Sequence, residues 1–171
     1  MTAKLQASQI WQQMLSGRWY QTHAKPLRRA RQHAKAQCDT LNTALTEQQR
    51  LAVAAQLMPL IQLSAIGAGF YCDYGLNITS GEGLSVGRNV VMLDAAKIIC
   101  GHHVTIHDGA VIATVNHATD PQRRQAGWQQ AVDIVIGDNV TIESGATVLP
   151  GAIIPSNTRL PAHSVFTKTN P

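Results

Sequence analysis

Residues 134–166 read IVIGDNVTIESGATVLPGAIIPSNTRLPAHSVF, and a large apolar side chain returns at every sixth position: Ile136, Ile142, Val148, Ile154, Leu160 and Phe166. Two residues before each stands Ile134, Val140, Ala146, Ala152, Thr158 or Ser164, mostly small or β-branched. A spacing of six fits neither the 3.6-residue period of a helix nor the simple alternation of a long strand. It predicts strands two or three residues long, separated by turns, each sending one side chain inward. Three such units close a triangular coil of about eighteen residues, and coils stack at about 4.8 Å, the spacing of hydrogen-bonded strands. The corner Gly137-Asp138-Asn139 supplies residues that tolerate a left-handed backbone. This is the signature of a solenoid.

Upstream, Cys100, Ile106 and Ile112 keep the same spacing, whereas Val86, Met92 and Ile98 run two residues out of phase with them. Gly87-Arg88-Asn89 and Gly101-His102-His103 read as further corners. Residues 113–133 interrupt the repeat with His117, Asp120, Pro121, Arg123, Arg124, Gly127 and Trp128. An excursion of that length from a compact coil predicts a functional loop.

The first sixty residues have a different texture. Ten of the fourteen leucines lie before residue 84, and twenty of the twenty-five valines and isoleucines lie after it. Leucine and alanine favour helix, whereas β-branched residues favour strand. Residues 4–15 predict one short helix closed by Ser16-Gly17. Pro26 opens a second helix of about five turns, carrying Leu27, Ala30, Ala34, Cys38, Leu41 and Leu45 at helical spacing. Thr46 and Gln49 form a capping box for a third, which bears Leu51, Ala54, Ala55 and Met58 and stops at or before Pro59. Residues 1–60 thus form a helical cap, and residues 61–171 the coil domain.

The chain has 171 residues, of which 14% are charged, a low share. Sparse charge points to surface shared with other subunits. Eight Lys or Arg against Asp39 and Glu47 give residues 1–59 a local charge of +6, within a total of +4. The run Lys25, Arg28, Arg29, Arg31, Lys35 lacks interleaved aromatic residues for stacking bases, so it reads as a solvated helix face and no nucleic-acid partner is expected. Cys38, Cys72 and Cys100 form no CxxC pair and read as reduced, buried thiols. No apolar run is long enough for a membrane span, and no signal-peptide core is evident, so a cytoplasmic location is expected.

MLSGRWYQ (14–21) with PLRRAR (26–31), FYCDYGLNI (70–78), VVMLDAA (90–96), NHATDP (116–121), IGDNVTI (136–142) and VFTK (165–168) together resemble the maltose and galactoside O-acetyltransferases, sugar acetyltransferases of the hexapeptide-repeat superfamily. The resemblance implies a left-handed parallel β-helix under a helical cap. It also implies a homotrimer with active sites between subunits, and transfer of an acetyl group from acetyl-CoA to a saccharide hydroxyl without a metal.

A sugar hydroxyl is a weak nucleophile, so direct attack on a thioester needs a general base, and an imidazole suits neutral pH. The resemblance places that base at His117, at the mouth of the excursion. It places acceptor contacts at Asp73, Asn89 and Asp94, each of which also has a turn or capping explanation. For acetyl-CoA the matching positions are Ser144, Ala162, Thr167 and Lys168, with a backbone N–H near Ser144 as oxyanion donor. Gln129, Thr141, Glu143 and Thr22 depart from the family pattern: the first cannot stabilise an imidazolium by charge, and Glu143 puts an acid near the expected CoA path.

Two other readings fit parts of the sequence. His102, His107 and His117 resemble the zinc ligands of hexapeptide-repeat carbonic anhydrases. A coil that has lost CoA binding and serves only assembly is the non-enzymatic alternative, motivated by Glu143, Thr141 and the short tail after the last repeat.

Overall fold

The computed structural model describes residues 2–167; Lys168 lies outside the described residues. The cap begins as two helices, α1 (Thr2–Gln6) and α2 (Gln9–Leu15), where the sequence predicts one. Ser8 breaks them apart, its hydroxyl donating to the Leu5 carbonyl at 2.6 Å. A short strand β1 (Tyr20–Gln21) follows, then α3 (Lys25–Thr43) and α4 (Glu47–Leu57). Pro26 sits in the first turn of α3, and α3 ends at Thr43, which leaves Leu45 exposed outside it. The capping box forms: Gln49 N–H donates to Thr46 Oγ1, and Gln49 Oε1 accepts from Thr46 N–H. On α4 the buried residues are Ala54 and Leu57, with Met58 buried just beyond, while Ala55 is exposed.

From residue 63 the chain winds as a left-handed parallel β-helix. Its strands, in order, are β2 (Leu63–Ile66), β3 (Tyr71–Cys72), β4 (Ile78–Ser80), β5 (Leu84–Val86), β6 (Val91–Leu93), β7 (Ile98–Cys100), β8 (Thr105–Ile106) and β9 (Val111–Ala113). After the excursion come β12 (Ile134–Ile136), β13 (Thr141–Ile142), β14 (Thr147–Val148), β15 (Ile153–Ile154), β16 (Arg159–Leu160) and β17 (Val165–Phe166). Strands β2, β5, β8, β13 and β16 stack into a first face, β3, β6, β9, β14 and β17 into a second, and β4, β7, β12 and β15 into a third. The six-residue series points inward, as Ile136, Ile142, Val148 and Ile154 are all at most 1% exposed, and their partners at i−2 (Ile134, Val140, Ala146 and Ala152) are buried as well.

The phase slip has a physical origin. In the upper coils Val148 pairs with Phe166, eighteen residues on, as expected. In the lower coils Cys72 pairs with Met92 and Met92 with Ile112, a repeat of twenty. The two extra residues fall at the corner between the second and third faces, at Asp73–Asn77 and again at 94–97, so this corner bulges outward. Gly75 in the bulge has φ 70°, and a Cβ there would lie 2.5 Å from the Leu57 carbonyl oxygen, so the bulge packs directly against the end of α4.

The residues 113–133 that interrupt the repeat are not an irregular loop. They form β10 (Val115–His117), α5 (Pro121–Gln125) and β11 (Trp128–Ala131), and β1 of the cap completes a three-stranded antiparallel sheet in the order β1-β11-β10. One continuous core joins Ala34, Cys38 and Leu41 of α3 to Cys72, Met92 and the inner residues of the coil. Cys38, Cys72 and Cys100 are free and buried, with the first two sulfurs 3.9 Å apart.

Candidate active site

The bulged corner carries three polar residues, with Asp94 level with Thr114 and Asp73 one residue out of that register. Asp73, Asp94 and Thr114 occupy the corner on successive coils, and from Thr114 the chain leaves into β10 and His117. Asp94 is fully buried, and its carboxylate oxygens accept from the amides of Tyr74 (2.8 Å) and Asn77 (3.2 Å) in the coil before. Burial pushes its pKa up to about 7, against the pull of the backbone amides of Tyr74, Asn77 and Gly75. Thr114, also buried, donates to the Leu93 carbonyl at 2.7 Å and accepts from Ala96 N–H at 3.0 Å. Asp73 is half-buried; burial raises its pKa and the Arg31 guanidinium lowers it. Arg31 ties the cap to this corner, donating at 2.7 Å to both the Tyr74 hydroxyl and the Thr22 carbonyl. The basic run expected to be a solvated face thus has one structural member, while Arg28, Arg29 and Lys35 are exposed.

His117 ends β10 in direct register with Gln129 of β11, which in turn faces Tyr20 of β1. Directly opposed residues of an antiparallel pair share a face, so His117, Gln129 and Tyr20 line up across the sheet. The buried Tyr20 hydroxyl donates to Gln129 Oε1 at 3.1 Å, and burial, with Asp73 adding to it, raises the phenol pKa far above its ordinary value. His117 is exposed, and its imidazole has no hydrogen-bond partner among the described residues. Arg123 of α5 holds the excursion against the cap, its guanidinium 4.8 Å from the Trp19 ring and 5.3 Å from the Trp128 ring. Asp120 caps α5 by accepting from Arg123 N–H at 2.7 Å.

Asn89 lies elsewhere. It sits at the corner between the first and second faces, in the left-handed conformation at φ 55°, and its amide donates to the Ala68 carbonyl at 2.8 Å. Ser144 and Ala162 lie in this same column, so within one chain the Asn89, Ser144 and Ala162 column and the Asp73, Asp94 and His117 corner stand at opposite edges of the second face. At the corner between the third and first faces, side chains of the next coil meet the amides: Glu82 N–H donates to His102 Nδ1, His102 N–H to Asp138 Oδ1, and Asp138 N–H to Ser156 Oγ. In the first/second column Asp108 meets the Arg88 amide, but the amides of Ser144 and Ala162 have no acceptor among the described residues. A shallow cavity of about 380 Å³ opens there, lined by Glu143, Arg159, Pro161 and Ala162. Glu143 is ion-paired with Arg159 at 2.8 Å, with His107 Nε2 4.0 Å away. Thr167 is exposed just past β17, and Thr141 points outward from the first face.

His102, His107 and His117 belong to three different corners of the prism and are not gathered in one chain. Sequence reading missed Arg31, the Arg123 clasp and Arg159. The tryptophans at 19 and 128 around an arginine-bearing excursion were the available signal for the clasp.

The family description "Maltose acetyltransferase hexapeptide capping motif" matches residues 13–59. A maltose O-acetyltransferase of Clostridium difficile superposes with a TM-score of 0.86 at 31% identity, over 96% of this chain and 90% of that one. A hexapeptide-repeat acetyltransferase of Vibrio cholerae, solved with acetyl coenzyme A, superposes at 0.83 with 27% identity, over 96% and 91%. The galactoside O-acetyltransferase of Lactococcus lactis is 33% identical over 103 residues, 60% of this chain and 50% of that protein. The matches span about half the length of several curated relatives.

Proposed function

Because the chain belongs to the maltose and galactoside O-acetyltransferase family of hexapeptide-repeat proteins, we propose that it moves an acetyl group from acetyl-CoA to a hydroxyl of a saccharide acceptor, with His117 as general base. The observation that carries this reading is the position of His117: exposed, without an internal partner, and held by a folded three-stranded sheet at the top of the corner that contains Asp73 and Asp94. A base must be both free to take a proton and fixed in place.

Acetyl-CoA would supply the activated thioester carbonyl. The unmet amides of Ser144 and Ala162 and the Arg159 guanidinium beside them suit an amide-rich donor that bears phosphates; Thr167, just past β17, lies at the other edge of the second face. His117 takes the acceptor hydroxyl proton on a ring nitrogen as the oxygen bonds to carbon, and holds it until the leaving thiolate takes it up. A free amide at Ser144 is positioned in the donor column to meet a developing oxyanion. Asp73 accepts hydrogen bonds from acceptor hydroxyls. Asp94 shapes the corner by holding the Tyr74 and Asn77 amides, and Asn89 meets the ligand from the donor column.

The two corners stand apart on one chain, so the reading includes a homotrimer in which a neighbour brings its donor column to His117. The third face supports this. Its outward residues Ile99, Val135 and Ile153 stack in register and are 37%, 37% and 58% exposed, an apolar ladder beside the corner from which β10 departs. Burying such a ladder is worth about 25 cal/mol per Å². Three buried, free cysteines fit a reducing cytoplasm, and no described helix is long and apolar enough to cross a membrane.

The test is acetyl-CoA turnover by the purified protein against a panel of mono- and oligosaccharides, comparing wild type with His117→Ala. A loss of 10²-fold or more is expected for a positioned base; retention of more than a tenth of the rate on the best acceptor overturns the assignment.

A further inference from the structure

A cavity of about 470 Å³ lies in the cap, between α1, the first half of α3, the end of α4 and the bulged corner. Pockets of this size hold ligands of tens of atoms. Its floor is apolar, with Leu5, Ala30, Leu57, Tyr74 and Leu76 on its lining. Its rim carries Lys4, Lys25, Arg29 and His33, and no Asp or Glu lines it. None of those four side chains is hydrogen-bonded or ion-paired among the described residues. The first turn of α3, which contributes Lys25 and Pro26, has no side-chain cap and no acidic residue, so the partial positive charge of that helix end adds to the rim. The cavity touches the bulged corner through Tyr74 and Leu76, yet Asp73, Asp94 and His117 do not line it.

An apolar floor under a one-sided cationic rim matches a particular ligand chemistry. We propose that the cap carries a second ligand site, separate from the acetyl-transfer centre, which takes a small anionic amphiphile: an apolar chain ending in a carboxylate or phosphate. The chain lies on Leu57, Tyr74 and Leu76, and the anionic head meets Lys25 and Arg29. Arg29 can meet either head group with two parallel N–H donors. Neutral apolar molecules forgo the rim, and small inorganic anions forgo the floor, so both halves of the ligand are required.

Calorimetric titration of the purified, assembled protein with laurate, dodecyl phosphate, dodecanol and inorganic phosphate, all below micellar concentration, tests this. Laurate or dodecyl phosphate is expected to bind at one site per chain, with dodecanol and inorganic phosphate at least tenfold weaker. The tighter of the two anionic probes identifies the head group. In the Lys25→Gln/Arg29→Gln double variant the anionic probe weakens at least fivefold while dodecanol is unchanged. Gln56→Trp, which adds an indole from an exposed lining position on α4, removes binding. Acetyl transfer stays within twofold of wild type in both variants, which keeps this result distinct from failure of the transfer reading. Equal affinity for dodecanol and laurate, several molecules bound per chain, or undiminished laurate binding in the charge variant each overturns the proposal.

Discussion

His117 stands directly across the β10–β11 pair from Gln129, and the buried Tyr20 hydroxyl donates to Gln129 Oε1 at 3.1 Å. The amide oxygen is therefore engaged from the cap side, which leaves the amide nitrogen as the group free to turn toward the histidine. That nitrogen donates hydrogen bonds but carries no charge, so an imidazolium at the proposed base would gain nothing electrostatic from this neighbour.

Gln129→Glu places a carboxylate at that position, and Tyr20 remains able to donate to it. A negative charge beside the base favours its protonated form, so the acid limb of the rate profile moves to higher pH. Measuring kcat/KM from pH 5 to 9 checks this. An unmoved limb in a folded variant means that His117 is not the titrating base.

Asp94 titrates near 7 in the folded protein because it is buried, against about 3.9 in an unfolded chain. Between those values the folded state holds more protons than the unfolded state, so stability falls as pH rises through the window from about 4 to 7. Asp94→Asn removes that slope, and its NH₂ group also faces one of the amides that the carboxylate accepts from. The variant should melt several degrees below wild type at pH 5, with the gap narrowing by pH 7.5. Equal slopes of Tm against pH in the two proteins contradict the assignment.

Much of this was legible in the sequence, and what was not has identifiable causes. Ile136 through Phe166 announced the coil because each inward residue repeats with the turn chemistry between. The excursion's strands were hidden: Val115–His117 and Trp128–Ala131 lack an apolar alternation, and their third partner, Tyr20–Gln21, lies more than ninety residues earlier. The separation of Asn89 from Asp73 and Asp94 was equally invisible, since corner membership depends on where the two extra residues of the lower coils fall. A lengthened corner leaves only a phase slip in the spacing, without saying which corner grew. The break between α1 and α2 turns on one serine whose hydroxyl bonds backward.

Arg123 between Trp19 and Trp128 is the cap's grip on the excursion. Exposed cation–π pairs are worth about 0.5–1 kcal/mol each, so Arg123→Ala should destabilise only slightly. Its larger effect should be on kcat, about three- to tenfold, with KM for acetyl-CoA little changed, because the donor column lies on another corner. A double-mutant cycle with Trp128→Leu should show coupling; strict additivity would remove the clasp from the account.

Val135 is the centre of the apolar ladder on the third face, between Ile99 and Ile153, while its neighbours Ile134 and Ile136 carry the core. Val135→Asp therefore leaves the coil intact but sets a charge in a surface proposed to be buried against a second chain. Sedimentation should show monomers with an unchanged far-UV circular dichroism spectrum, and acetyl transfer should fall more than tenfold. An assembled Val135→Asp protein places the interface on another face.

Glu143 answers the concern that an acid obstructs the donor path, because Arg159 neutralises it at 2.8 Å with His107 Nε2 4.0 Å away. The pair borders the cavity beside Ala162, and its arginine is largely solvent-exposed, so the ion pair itself contributes little to stability. What it controls is local charge. Glu143→Gln leaves Arg159 uncompensated beside the proposed phosphate path, and KM for acetyl-CoA should drop about two- to fivefold at low salt, with the gain fading as ionic strength rises. Arg159→Ala should do the opposite, raising KM with kcat nearly unchanged, since the arginine meets a part of the donor remote from the reacting carbon. A kcat effect in Arg159→Ala larger than its KM effect would move the donor's carbonyl, rather than its phosphates, to this end of the column.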